Sequence, residues 1–200
     1  ISVTEEEFER SELERQIRDK VASFNYDIDA LLEDYRKCNE GQMDSLERQF
    51  YLFFKGIRLS CLPDSIGKEI LNLYEKSLQQ TMPDFTLNSP ISNSLLTIDE
   101  LLIINNIALA EYRYMGEHEK AIDRLYFIKG YMEQKPVDPA EKPKLYTAII
   151  ANLTSWEEDE THYDKELALS EEGLAFCYQY GLQNSFDHLL CSKGAALSYL

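Results

Sequence analysis

Residues 105–128 constrain this chain more than any other stretch: Asn-Asn-Ile-Ala-Leu-Ala-Glu-Tyr-Arg-Tyr-Met-Gly-Glu-His-Glu-Lys-Ala-Ile-Asp-Arg-Leu-Tyr-Phe-Ile. Ala108, Tyr112 and Met115 fall on one helical face, and Gly116 follows them. After the glycine, Ala121, Leu125, Ile128 and Met132 form a second stripe at helical spacing. A glycine there suits the left-handed position that ends a helix, because it has no Cβ to clash. Small Ala108 and Ala121 allow two helices to approach closely, with Tyr112 and Leu125 filling the space beside them. The stretch therefore predicts two helices folded back on each other.

That layout is similar to a tetratricopeptide (TPR) hairpin, whose repeat is about 34 residues. The same pattern of start and stop signals runs through the chain. Thr4 and Glu7 form a capping box, followed by apolar Phe8, Leu13, Ile17 and Val21. A second helix is predicted from Asn25 or Asp27, with Ile28, Leu31, Leu32 and Tyr35, and Gly41 closes this divergent first hairpin, 1–41. Asp44 and Glu47 open a third helix with Leu46, Phe50, Phe53, Phe54 and Ile57, which Pro63 ends. Asp64 caps a fourth with Ile66, Ile70, Leu73, Tyr74 and Leu78, so a repeat covers 44–81. Residues 82–96 lose all periodicity and predict a long connection, either a functional loop or a packed insertion.

Thr97 and Glu100 form another capping box and open the repeat 97–134. Asp138, Pro139 and Glu141 together predict the next helix start, with Leu145, Ile149, Leu153 and Trp156 along the helix. Its partner carries Leu167, Ser170, Gly173, Leu174 and Cys177 and ends at Gly181, giving a repeat at 139–180. Tyr163 aligned on His118 puts Glu166 where Ala121 stands, about 45 residues on, so this repeat departs from the small-residue pattern. Asn184 or Ser185 begins the first helix of a further repeat, 184–200. The prediction is an all-α, TPR-like domain over 1–200: about nine helices in antiparallel hairpins, stacked as a right-handed superhelix.

Composition narrows the function. A formal charge of −16 argues against nucleic acid and against anionic membranes, because both need clustered Lys and Arg. Four scattered cysteines (Cys38, Cys61, Cys177, Cys191) form no CxxC pair and read as small core residues of a reducing compartment. The longest apolar run, 101–110, is interrupted by Asn105 and Asn106 and is too short to span a bilayer. The acidic N-terminus is unlike a signal peptide, so the expected location is the cytoplasm. The chain begins with Ile and stops inside a helical pattern, which predicts a fragment of a longer protein.

No phosphate-binding, nucleophile-elbow or dinucleotide motif occurs. His162 and Glu166 have the spacing of two ligands on one helical face, but without supporting histidines or cysteines they read as surface polar residues, as do His118 and His188. The expectation is a binding protein with no catalytic residue, cofactor or metal.

One resemblance is specific. The phrase Thr-Met-Pro-Asp-Phe at 81–85, the hairpin at 105–128 and the stretch 174–181, in this order, resemble the C-terminal sensor region of Firmicutes Xre-type helix-turn-helix transcription regulators, in the group of PlcR, Rgg and the Rap phosphatases. The resemblance covers nearly the whole chain, most clearly from Asp44 onward. It implies a DNA-binding domain upstream, repeats that bind a short signalling peptide or protein partner on a concave face, and a homodimer. In a TPR solenoid the first helix of each hairpin lines that face. Asn106, Ala110 and Arg113 should then face the groove, with Asn152 and Ser155 in the next repeat and Ser192 in the last. An Asn amide offers donor and acceptor to a peptide backbone, and Arg113 suits a carboxylate. Dimerisation would use Leu189, Leu190 and Leu197 of the last helix. The alternative is a TPR adaptor that holds a partner protein without switching, and a third reading is action on a response-regulator phosphate.

Overall fold

The computed structural model describes residues 5–38, 43–63, 66–91, 95–183 and 185–200. Among the described residues the secondary structure is entirely helical, so the chain is all-α. Thr4, Gly41, Asp64 and Asn184, which carry four of the predicted caps, lie outside the described residues.

Contacts divide the chain into two compact units: Ile1–Asn93 with Leu109–Gly116, and Ser94–Ala108 with Glu117–Leu200. The first holds α1 (Glu5–Ala22), α2 (Asp29–Cys38), α3 (Ser45–Ser60) and α4 (Gly67–Leu78), each packed on the next. It also holds a π-helical turn, Glu111–Met115, packed on α4. Asp44 and Glu47 make both bonds of the predicted capping box: the Glu47 amide donates to Asp44 Oδ1 at 2.9 Å and the Asp44 amide to Glu47 Oε2 at 2.8 Å. The core is aromatic. The Tyr35 ring lies 5.1 Å from Phe50, Phe50 lies 4.5 Å from Phe54, and Phe53 lies 6.0 Å from Tyr74.

Several predicted apolar positions stand outside this core. Phe8 is exposed in the first turns of α1. Leu46 is exposed in the first turn of α3, and Ile66 is the extended residue before α4. The second helix starts at Asp29, later than Asn25 or Asp27, because the Asn25 side chain accepts the Asp27 amide at 3.2 Å in a turn. The described part of 82–91 is a packed insertion. Phe85 is buried, its carbonyl takes Gln79 Nε2 at 3.0 Å, and the Leu87 amide donates to Glu75 Oε1 at 3.0 Å.

The second unit contains α5 (Ile98–Ala110, whose last two residues count with the first unit), α6 (His118–Gln134), α7 (Lys142–Asp159), α8 (Tyr163–Tyr180) and α9 (Phe186–Tyr199). Thr97 and Glu100 close the predicted box at 2.7 and 3.2 Å. Ala108, Ala121, Leu125, Ile128 and Met132 are all buried, as their spacing required. Gly116 and Gly181 end their helices at φ 67° and 66°. The seventh helix starts at Lys142, not at Asp138. The Asp138 carboxylate takes the Ala140 amide at 2.8 Å in a local turn, and Pro143 instead occupies the first helical turn.

Helix α7 is the centre of this unit. It packs on α6, α8 and α9, and its Leu145, Ile149, Ile150, Leu153 and Trp156 are buried. Close approach of α8 depends on Gly173: a Cβ there would meet Leu189 Cδ1 of α9 at 2.8 Å and Ile150 Cγ2 of α7 at 2.9 Å. Leu189 is thus a core residue and not part of an exposed face, whereas Leu190 and Leu197 are exposed. Of the cysteines only Cys177 is buried. Cys61 and Cys191 are exposed, against the expectation of four core thiols. No described helix is long and apolar enough to cross a membrane.

Candidate ligand-binding residues

Three of the four predicted contact residues belong to the second unit and one to the first. Asn152 and Ser155 lie three residues apart on α7, on one side of the helix, and both are half-buried. The Asn152 amide has no hydrogen-bond partner among the described residues. Ser155 is already engaged, with its hydroxyl 3.0 Å from His188 Nε2 of α9. That nitrogen is also 3.1 Å from the Ala151 carbonyl, which only accepts, so Nε2 carries the hydrogen and Ser155 shares it as acceptor.

Asn106, on α5, is half-buried, and its Nδ2 donates to the Leu102 carbonyl at 2.9 Å within its own helix. Its carbonyl oxygen remains for a partner. Neighbouring Asn105 is buried, with Oδ1 accepting no hydrogen bond. Arg113 stands in the first unit, on the π-helical turn. That turn is pinned by Tyr114, whose hydroxyl donates to the Ser60 carbonyl at 2.6 Å. Gly67 makes room for it, since a Cβ there would lie 2.5 Å from Tyr114 Cβ. Arg113 itself is exposed and makes no hydrogen bond or ion pair among the described residues. Ala110 and Ser192, also expected on the groove, are buried and offer no surface to a ligand.

Two clusters of polar residues organise the second unit. Glu157, at the end of α7, has a side chain only 1% exposed. It accepts the Tyr126 hydroxyl of α6 at 2.7 Å, pairs with His162 Nδ1 at 2.7 Å, and has Lys165 Nζ at 3.4 Å. Thr161, in the turn before His162, takes φ 62°, an unusual conformation for a β-branched residue. At the other end of α7 the Tyr146 hydroxyl lies 2.6 Å from Glu133 and 2.5 Å from Glu172. Lys129 bridges the same two carboxylates at 2.6 and 3.0 Å. Burial first, and then these two acids, push the Tyr146 phenol up.

Glu166 is the clearest departure from a surface reading. It is fully buried, and neither carboxylate oxygen has a hydrogen-bond partner. His162, four residues earlier, is exposed, so the two do not form a ligand pair. The signal was present in the sequence: Glu166 aligns with Ala121, a position that close helix packing buries. No protein-family model, no curated protein and no solved structure matches the chain.

Proposed function

We propose that this chain is the ligand-sensing and dimerisation region of a transcription regulator, a TPR-like helical superhelix that binds a short peptide or protein segment. The observation that carries this reading is the free amide of Asn152, half-buried on the central helix of an all-helical unit. A side-chain amide without a partner can accept and donate to an extended backbone at once. In the first unit, by itself, Arg113 is exposed and without an acid partner among the described residues, which suits a carboxylate. Asn106 contributes its remaining carbonyl oxygen, and Ser155, which accepts from His188, its remaining hydroxyl hydrogen. Upstream sequence encoding a helix-turn-helix would support the regulator over a plain TPR adaptor.

The test is an array of short synthetic peptides probed with the purified chain, with hits remeasured by titration calorimetry. Asn152→Ala and Asn106→Ala should each weaken a hit by roughly 5- to 150-fold, the cost of one hydrogen bond of ~1–3 kcal/mol. Their melting temperatures should stay at the wild-type value. Hits that bind both variants as tightly as wild type would remove the reading, as would an array without hits at concentrations on the order of 100 μM.

A further inference from the structure

An ionised carboxylate cannot remain buried and unpaired at reasonable cost; it takes up a proton instead. Glu166 is in that position: fully buried, with both oxygens unpartnered. Its place on α8 shows what surrounds it. It lies two turns before Gly173, and residues seven apart share a helical face. The Gly173 face is the one wedged against Ile150 of α7 and Leu189 of α9. At the Glu166 end, the last turn of α9 closes over the start of α8. The rings of Tyr163 and Tyr199 stack there at 4.5 Å and 14°, and Ala196 is fully buried.

The helices packed on α8 offer Glu166 no counter-charge. On α7, Glu158 acts on it repulsively, and Glu157 is held by Tyr126, His162 and Lys165. On α9, Lys193 is paired with Glu171 at 2.9 Å, and His188 is bound to Ser155 and Ala151 near the start of the helix, next to Asp187. The same side of α8 carries the small buried residues Ser170 and Gly173. The Ser170 hydroxyl is committed to the Glu166 backbone carbonyl at 2.7 Å.

We infer that Glu166 is a proton-operated latch: protonated, it lets the start of α8 pack dry between α7 and α9, and loss of its proton releases the last turn of α9. Burial and the nearby Glu158 charge both raise its pKa, in agreement with that geometry. The sign follows from linkage. A carboxyl raised in the fold stabilises the closed form fully below its ordinary value of about 4.3, and this stability is lost as pH rises through the folded value.

Hydrogen exchange of the 196–200 amides on the full chain tests this, with rates corrected for intrinsic pH dependence. In the wild type the opening equilibrium should rise about tenfold per pH unit above about 4.3 and level off above the folded value. Glu166→Gln, which keeps the shape and cannot ionise, should stay closed with a flat profile. The proposal is overturned if the wild-type profile is flat, or if Glu166→Gln keeps the wild-type slope. A Glu166→Gln chain that fails to fold by circular dichroism also overturns it, since the neutral side chain is the one argued to fit.

Discussion

At the residue scale, a buried carboxylate, Glu157, gathers three partners in the second unit. Its carboxylate is out of water and depends on the Tyr126 hydroxyl, His162 and Lys165 for its hydrogen bonds. Tyr126→Phe removes one donor without changing the packing of the ring. Hydrogen bonds to charged groups contribute about 1.5–3 kcal/mol, so urea unfolding should show a loss in that range. Tyr114→Phe removes a bond from a neutral carbonyl at a partly exposed site and should cost about 1 kcal/mol or less. Equal losses would show that burial of Glu157 does not set its dependence on donors. Residues of this kind were not legible in the sequence, where acidic side chains are so numerous that a buried one looks like its neighbours. Apolar positions in the middle of helices were legible, because Phe50, Phe54, Ile70, Leu125 and Ile149 repeat at helical spacing. Phe8 and Leu46 are apolar too, but they sit at helix starts and are exposed.

At the scale of elements, the glycines separate backbone need from chance. Gly116 and Gly181 hold left-handed φ with nothing within 4 Å of a Cβ, so substitution there is a matter of conformation and not of space. Gly116→Ala should destabilise by about 1–2 kcal/mol, the cost of placing an L-residue in that region. Gly130 lies inside α6 without positive φ and also meets nothing within 4 Å, so Gly130→Ala should stabilise by about 0.5–1 kcal/mol. Thermal melts of the two variants should therefore move in opposite directions. The helix-ending role of both left-handed glycines followed from the sequence, as did the capping boxes at Asp44 and Thr97. The start of α7 did not, because Asp138-Pro139 satisfies the rules for a helix start and for a simple turn equally well. Nor did the π-helical turn at Glu111–Met115: it has no residue signature, and the segment packs on α4, far away in sequence. Of the candidate contacts, Asn152 and Arg113 have no side-chain partner among the described residues. The sequence could not foresee that His188, 33 residues from Ser155, takes up that hydroxyl.

At the scale of the whole molecule, the net charge of −16 acts on every equilibrium the chain enters. The sequence suggested one hairpin at 105–128, yet contacts divide the chain within it, because local periodicity carries no information on which distant helices gather together. Charge, by contrast, was fully legible and bears directly on the proposed pairing with a second copy. The outer side of α9 exposes Leu190 and Leu197, an apolar surface that association would bury. Two copies each carrying −16 repel, and the repulsion reaches about 30 Å at 0.01 M salt but only about 8 Å at 0.15 M. Burial of apolar surface is not weakened by salt in that range, so screening should favour the dimer. Light scattering at tens of micromolar protein should then show the mass moving from monomer toward dimer as NaCl rises from about 10 to 150 mM. Leu197→Lys, which places a charge on the apolar surface, should hold the protein at the monomer mass throughout. A dimer that dissociates as salt rises would mean that ion pairs and not the apolar side of α9 hold the copies together, and a monomer at every salt concentration would remove the dimer from the proposed function.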